Sequence, residues 1–411
     1  MTATRVLIAS RLFPPEVSAG SFRLGALARG LRRAGAAVRV LTTSPPPHAP
    51  AISDATGVDV RRWPVLRDAG GNVRGYVQYM SFDVPLLLRL LLTRYDVAVA
   101  ESPPTTGLVV AWASVLRRRP YVYYAADVWT DGVISMGAHP MVVRIMRTME
   151  KAVLRKASVI LSVSDEVTER LLALDADSSR IATVGNGIDT DLFTPDAHVM
   201  DGAGRYFVYT GTMSEWQQPE VFIHAFSQVA EDYPDVRLKF FGQGVVESEL
   251  KRIAEQVAPG RVDFGGVVSP QESARWIRGA AASLVSIVPG IGYDFARPTK
   301  TYAAAAVGTP VIFAGPDAGA RLVRDGALGR AVTFDAAAIA AAMLEMLAEE
   351  ADGTRELLRP TRAGWARETV SLRAVADRAV AAIAQATGGW ATRLDGGSSD
   401  SLAEPESRSS D

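Results

Sequence analysis

The chain has 411 residues, 48% hydrophobic and 22% charged, a globular composition that excludes a disordered chain and is long enough for about two to three domains. It contains no Cys, which excludes disulfides and thiolate metal centres. Net charge is −1, with 23 Lys and Arg against 17 Asp and Glu in residues 1–195 and 21 against 28 in the rest; this mild basic excess suits an anionic partner but, lacking dense clusters with interleaved aromatics, excludes a dedicated nucleic-acid binder.

The start "MTATRVLIAS" holds too short an apolar run for a signal peptide. "PLLLRLLL" and "GLVVAWASVL" fall short of the roughly 20 residues that span a bilayer, so a soluble cytoplasmic protein is expected. "RVLIAS" reads as a buried parallel strand, "SAGSFRLGALARGLRRAG" as a helix and "AVRVLTT" as a second strand. The same grammar returns in "DVAVAES", "YVYYAAD", "SVILSVS" and "RIATVGNGID". A second series opens at "RYFVYTGT" and runs through "VRLKFFGQG", "VDFGG", "ASLVSIVP" and "TPVIFAG". Strand and helix in alternation predict two doubly wound α/β domains, each with its crevice at the carboxyl ends of the strands. The Asn, Gly, Asp and Pro punctuation of "NGIDTDLFTPDAHVMDGAGR" marks the link, near 190–204. Expected boundaries are a first domain over 1–190, a second over 191–372, and a helix over 373–390 returning to the first. Helical pattern runs from Trp365 to Gln385, and the polar stretch 391–411 is expected to be a disordered tail.

Four loops at strand ends can carry chemistry. In "FPPEVSAGSFR" either Ser18 or Ser21 can cap the following helix and Gly20 lets a ligand approach the backbone. Glu16, Ser18, Gly20 and Arg23 are the candidate acceptor contacts there; the plainer alternative is an ordinary βα turn. "YTGTMSEWQQ" and "FFGQGVVESEL" place Gly211, Gly242 and Gly244 at strand ends. The fourth loop, "FARPTKTYAAAAVG", starts a helix near Thr299 whose amides and dipole point at the crevice, with Arg297 and Lys300 as cations at the same mouth. Three sources of positive potential suit a diphosphate; the alternative is a solvated Arg and Lys. The small side chains Ala303 to Ala306 let that helix pack tightly on its sheet.

On the first domain, "YYAADVWTDG" sets Asp127 at a strand end with Trp129 as a platform for a sugar face. Asp127 can orient or deprotonate an accepting hydroxyl, or serve as a helix cap or the partner of a neighbouring Arg. Arg144, Arg147, Lys151 and Arg155 recur at helical spacing, forming a basic stripe that is either solvated or faces membrane phosphates. His48, His139, His198 and His224 show no paired spacing, so no metal site is expected.

The order of "FPPEVSAGS", "SVILSVSDEVTERL", "VGNGIDTDLFTP", "VYTGTMSEWQ", "LKFFGQG", "VDFGGVVSPQE" and "PTKTYAAAAVGTPVI" resembles a family 4 glycosyltransferase of the GT-B fold, across about residues 5–385. The sub-group it resembles assembles surface polysaccharide and cell envelope. The resemblance implies two Rossmann-like domains facing a central cleft, a nucleotide-sugar donor on the second, a lipid-linked or saccharide acceptor on the first, and transfer with retention. It implies no metal or organic cofactor, and peripheral contact with the inner face of the membrane through the basic stripe. Its donor contacts fall on Gly211, Thr212, Gly242, Gly244, Val267, Asp294, Thr299 and Thr301, with Lys300, Arg297 and Asp127 as catalytic residues. The chain departs from the family in having Thr212 and Gln217 where an Arg and a Lys are common, and Phe295 and Ala303 where two Glu are common. Asp294 lies next to the first of these. Those departures keep two other readings open, a non-catalytic scaffold that binds a nucleotide sugar or a partner transferase, and a nucleotide-sugar epimerase of the same fold.

Overall fold

The computed structural model describes residues 3–389 apart from 17, 47–56, 69–72, 74 and 136; His48 and the expected tail over 391–411 lie outside the described residues. The first sheet is built from β1 (Arg5–Ala9), β2 (Ala37–Thr43), β3 (Asp59–Trp63), β4 (Val97–Glu101), β5 (Tyr121–Ala125), β6 (Val159–Ser162) and β7 (Ile181–Thr183). Its order is β3-β2-β1-β4-β5-β6-β7, all parallel. Helices α1 (Ala19–Arg33), α2 (Tyr76–Leu92), α3 (Pro104–Arg117), α4 (Trp129–Ser135), α5 (Pro140–Lys156) and α6 (Asp165–Ala173) make the crossovers. The central strands are continuous apolar runs because both faces are covered: every residue of β4, β5 and β6 is buried.

The second sheet takes β8 (Arg205–Thr210), β9 (Val236–Phe241), β10 (Val262–Phe264), β11 (Ala282–Ser286), β12 (Val311–Ala314) and β13 (Gly329–Val332), again parallel, in the order β10-β9-β8-β11-β12-β13. With it go α7 (Glu220–Ser227), α8 (Glu247–Val257), α9 (Pro270–Gly279), α10 (Thr299–Ala306), α11 (Asp317–Asp325), α12 (Ala336–Ala351), α13 (Thr354–Leu357), α14 (Arg359–Thr369) and α15 (Leu372–Ala386). Chain order reverses between β1 and β4 in one sheet and between β8 and β11 in the other, and such switch points open binding crevices at the strands' carboxyl ends.

The continuous helix expected over 365–385 breaks between α14 and α15, because the Ser371 side chain accepts the Ala374 amide and starts a new helix. Val375, Ala379, Val380 and Ile383 of α15 join the core of the first sheet. The two passages between the sheets lie side by side: Ile188 N donates to Val370 O and Leu372 N to Ile188 O, both at 2.8 Å. Among the described residues no helix is long and apolar enough to cross a membrane.

Candidate active site

At the second switch point, β8 ends in Gly211 and β11 runs into the loop that leads to α10. Gly211 has φ +106°, and a Cβ there would stand 3.1 Å from Lys300 Cε, so the absent side chain is what lets the lysine stem pass. Gly242, at φ +131°, would drive a Cβ to 2.0 Å from Gly211 O; the two glycine loops fit only without side chains. Gly244 packs equally closely on Met213. Lys300 Nζ then donates to Tyr209 Oη at 2.5 Å, Gln217 Oε1 at 3.1 Å and Thr212 O at 3.2 Å, and stands 3.8 Å from the Tyr209 ring centroid. Every one of these partners is neutral. Some of the lysine surface still meets solvent, but the ammonium is ringed by protein, and this desolvation holds it well below its ordinary pKa. Gln217, which stands where the family commonly has a Lys, is buried and also lies 2.7 Å from Tyr209 Oη. The cation of α10 therefore lies against the side chain of Gln217.

Arg297 does not stand free over the helix mouth. It donates to Glu166 Oε1 at 2.7 and 3.1 Å and lies 3.5 Å from Asp165, both on the first turn of α6 in the other half of the molecule. Of the two threonines expected among the donor contacts, Thr299 is exposed at the start of α10 and Thr301 is buried. Asp294 accepts the Gly290 amide at 2.8 Å and so shapes its own loop. Tyr293 of that loop stacks on Trp216, with centroids 5.1 Å apart. Val267 is exposed on the loop after β10.

Across from this loop, Asp127 follows β5 and opens to a cavity of about 340 Å³ whose walls include Trp129 and Arg170 from the first half and Tyr293 and Phe295 from the second. Its carboxyl meets water in the cleft yet is crowded by protein; desolvation pushes it above the usual carboxylate range, Arg23 opposes this, and Glu101 and Glu150 add to it. Arg170 pairs with Asp131 at 3.5 Å and covers the Phe295 ring at 5.6 Å. Trp129 starts α4 and meets Tyr79 edge-on. What fixes α4 is a residue that the sequence pattern did not single out. Glu150, fully buried on α5, accepts the Trp129 and Thr130 amides at 2.9 Å and the Thr130 hydroxyl at 2.6 Å. Glu150→Ala should lower unfolding stability by about 1–3 kcal/mol, because three donors lose their acceptor, whereas Glu150→Gln should retain part of it; thermal unfolding of the two variants checks this.

The first switch point is closed by an ion pair. Arg23 Nη2 lies 2.6 Å from Glu101 Oε1, Ser10 Oγ donates to Glu101 Oε2, and both charged side chains are nearly inaccessible. Arg23, expected as an acceptor contact, is engaged in this pair. Gly20 lies against the same carboxylate, where a Cβ would sit 3.2 Å from Glu101 Oε1. Ser18, not Ser21, caps α1 by accepting the Ser21 amide, and Glu16 pairs with Arg67 at 3.2 Å. On α5, Lys151 pairs with Asp175 at 2.6 Å, while Arg144, Arg147 and Arg155 are exposed. Among the described residues no group of three or more His, Asp or Glu is placed to hold a metal.

Residues 20–187 match the family model described as a glycosyl transferase 4-like domain, and residues 204–349 match that of the glycosyl transferases group 1. A D-inositol 3-phosphate glycosyltransferase of Nocardioides is 28% identical over 44% of this chain and 43% of its own length. A phosphatidyl-myo-inositol mannosyltransferase of Mycolicibacterium smegmatis is 31% identical over 46% and 48%; the chain spans about half the length of such relatives. Among solved structures, Anabaena HepE in complex with UDP-glucose has a TM-score of 0.65 at 15% identity, covering 93% of this chain and 99% of that one. Sucrose-phosphate synthase from Thermosynechococcus elongatus has a TM-score of 0.72 at 18% identity, covering 93% and 98%. A putative UDP-N-acetylglucosamine 2-epimerase from Listeria monocytogenes shares the fold at a TM-score of 0.61 and 13% identity, covering 93% and 96%. The two consecutive domain matches, laid on two parallel sheets that meet at a cleft, show that the chain belongs to the family 4 glycosyltransferases of the GT-B fold.

Proposed function

We propose that the protein moves a sugar, with retention, from a nucleotide-sugar donor held by the second unit (191–372) to a hydroxyl of a lipid-linked or saccharide acceptor held by the first (1–190), in cell-envelope synthesis on the cytoplasmic side of the membrane. The segment 373–390 ties the two units. The observation that carries this reading is Lys300, a crowded ammonium with three neutral oxygen partners at the mouth of α10. A leaving diphosphate would give it the anionic partner it lacks, and charge growing on that group as the glycosidic bond breaks would be stabilised by Lys300 together with the first turn of α10. Asp127 would orient or deprotonate the incoming hydroxyl, with Trp129 as the platform beneath the acceptor. Because the relatives named above act on inositol phosphate or phosphatidyl-myo-inositol, such polyols are the first acceptors to try, and the stripe Arg144, Arg147, Lys151 and Arg155 is the proposed point of membrane contact.

The test is incubation with a panel of nucleotide sugars, with and without those acceptors, while following free nucleotide and product. Slow donor hydrolysis that accelerates with acceptor supports transfer. Interconversion of the donor sugar would make the protein an epimerase, and saturable binding without turnover a scaffold.

The pair between Arg297 and Glu166 links the two units, and so holds them together in part through a side chain that a diphosphate can recruit. Glu166→Ala should enlarge the radius of gyration without donor, and donor binding should bring it back down. Small-angle scattering reads both changes; equal radii for variant and wild type would show that the pair does not restrain the cleft.

A further inference from the structure

We propose that the acceptor carries an uncharged apolar ring, aromatic or alicyclic, next to the hydroxyl that takes the sugar, and that this ring fills the cavity beside Asp127. The inference rests on the transfer reading above and narrows its acceptor. About 340 Å³ of space opens there, more than twice the roughly 150 Å³ that holds benzene in an apolar cavity. Eight of its eleven lining residues belong to the first unit, and Gly211, Gly242 and Lys300 are not among them, so the space lies on the acceptor's side of the cleft. Most of the wall is apolar: Trp129, Val133 and Val167 from the first unit, Tyr293 and Phe295 from the second. Water against such a wall has few polar partners, the condition under which an apolar group displaces it with a gain in affinity.

The ring walls are held from behind. Glu150 fixes the Trp129 backbone, and the Trp129 ring meets Tyr79 edge-on with centroids 6.0 Å apart; Arg11 in turn covers Tyr79 at 3.7 Å from its centroid. Tyr293 stacks on Trp216 with 27° between the planes, and Phe295 lies under Arg170. Side chains already locked in place lose little freedom when a flat ligand packs against them. Charge decides against an anionic acceptor. The charged residues of the lining are Asp127, Asp131 and Arg170, and the arginine already lies 3.5 Å from Asp131. A phosphate next to the accepting hydroxyl would meet one cation, already paired, and two carboxylates. A phosphorylated polyol is therefore the poorer acceptor for this wall, and a hydroxyl flanked by a neutral ring the better one.

The experiment is a saturation-transfer NMR titration of the full chain, without donor, using phenyl β-glucoside, methyl β-glucoside and myo-inositol phosphate as probes. The phenyl compound should bind roughly ten- to a hundredfold more tightly than the methyl one, the gain from burying one ring, with the strongest transfer on its ring protons, and the inositol phosphate should bind most weakly. In Y293S/F295S the advantage of the phenyl compound should shrink by about tenfold. F295K, which removes a ring and adds a cation to the wall, should shrink it too and strengthen inositol phosphate binding by roughly fivefold. Tyr293 and Phe295 lie on the loop between β11 and α10 and neither is fully buried, so both variants should fold, which a thermal melt verifies. Absence of phenyl β-glucoside binding, equal affinity for the two glucosides, tighter binding of the inositol phosphate to wild type, or a ring preference that both variants leave intact overturns the proposal. No nucleotide sugar enters the assay, so failure of the transfer reading shows as missing turnover of the donor panel and failure of this inference as a missing ring preference.

Discussion

Lys300→Met should lower turnover and nucleoside-diphosphate affinity by roughly ten- to 150-fold, the range of a charge-assisted contact worth about 1.5–3 kcal/mol, while the melting temperature stays level or rises. The first effect follows from position, since the ammonium stands where the Gly211 loop meets α10 and has three neutral acceptors. The second follows from the same surroundings. An ammonium ringed by protein without a counter-charge is costly to fold around, and Met keeps most of the stem's packing without the charge. Binding of the bare nucleoside should change little. Calorimetry with nucleoside and nucleoside diphosphate, beside a thermal melt, reads all three quantities. Equal weakening for both ligands would place Lys300 at the base or in the fold rather than at the phosphates.

The pH dependence of this site has a definite sign. Desolvation lowers the Lys300 pKa in the folded protein well below the ordinary 10.5, so between the lowered value and 10.5 the unfolded chain holds a proton that the folded chain has released. Wild-type stability therefore gains a contribution as pH rises through that window, and Lys300→Met should flatten it. A diphosphate reverses the local field and draws the proton back. Binding in the same window should take up protons and weaken as pH rises, which calorimetry in buffers of different ionisation enthalpy detects.

The two-sheet plan was legible because most strands are buried on both faces and so read as apolar runs. The strands that sequence patterning passed over, β3 and β13, are edge strands: "DVRRW" and "GRAV" are only partly buried, and such strands carry no continuous apolar signature. The strand-end loops of the candidate site were legible through their glycines and through the Lys300 position. Their electrostatic partners were not, since Arg297 finds Glu166 across 131 positions of sequence and Glu150 reaches back to Thr130 across 20. Spacing along a chain carries no information about such pairings. Glu101 did leave a trace, as the lone charge closing the otherwise apolar strand "VAVAE", and a charge in a fully buried strand requires a partner, here Arg23.

Asp127→Asn should cut sugar transfer by roughly ten- to a thousandfold and leave donor affinity nearly unchanged. The substitution keeps the shape of the side chain and removes its capacity to take a proton. In the wild type, crowding in the cleft raises the carboxyl above its ordinary value, with Glu101 and Glu150 adding to the rise and Arg23 opposing it. A group that orients or deprotonates a hydroxyl must itself be ionised, so the rate should fall as pH drops through the raised pKa, at a higher pH than an unperturbed carboxylate would give. In Asp127→Asn that acid limb should vanish while the residual rate stays flat across the same range. Loss of rate without loss of the limb would assign the limb to another group, and normal transfer would reduce Asp127 to a strand-end residue of the fold. The neighbouring Glu150 supplies the control: Glu150→Gln perturbs α4 and Trp129 without touching the acceptor hydroxyl, so it should lower stability and transfer together yet keep an acid limb, moved to lower pH because one of the charges that raises Asp127 is gone.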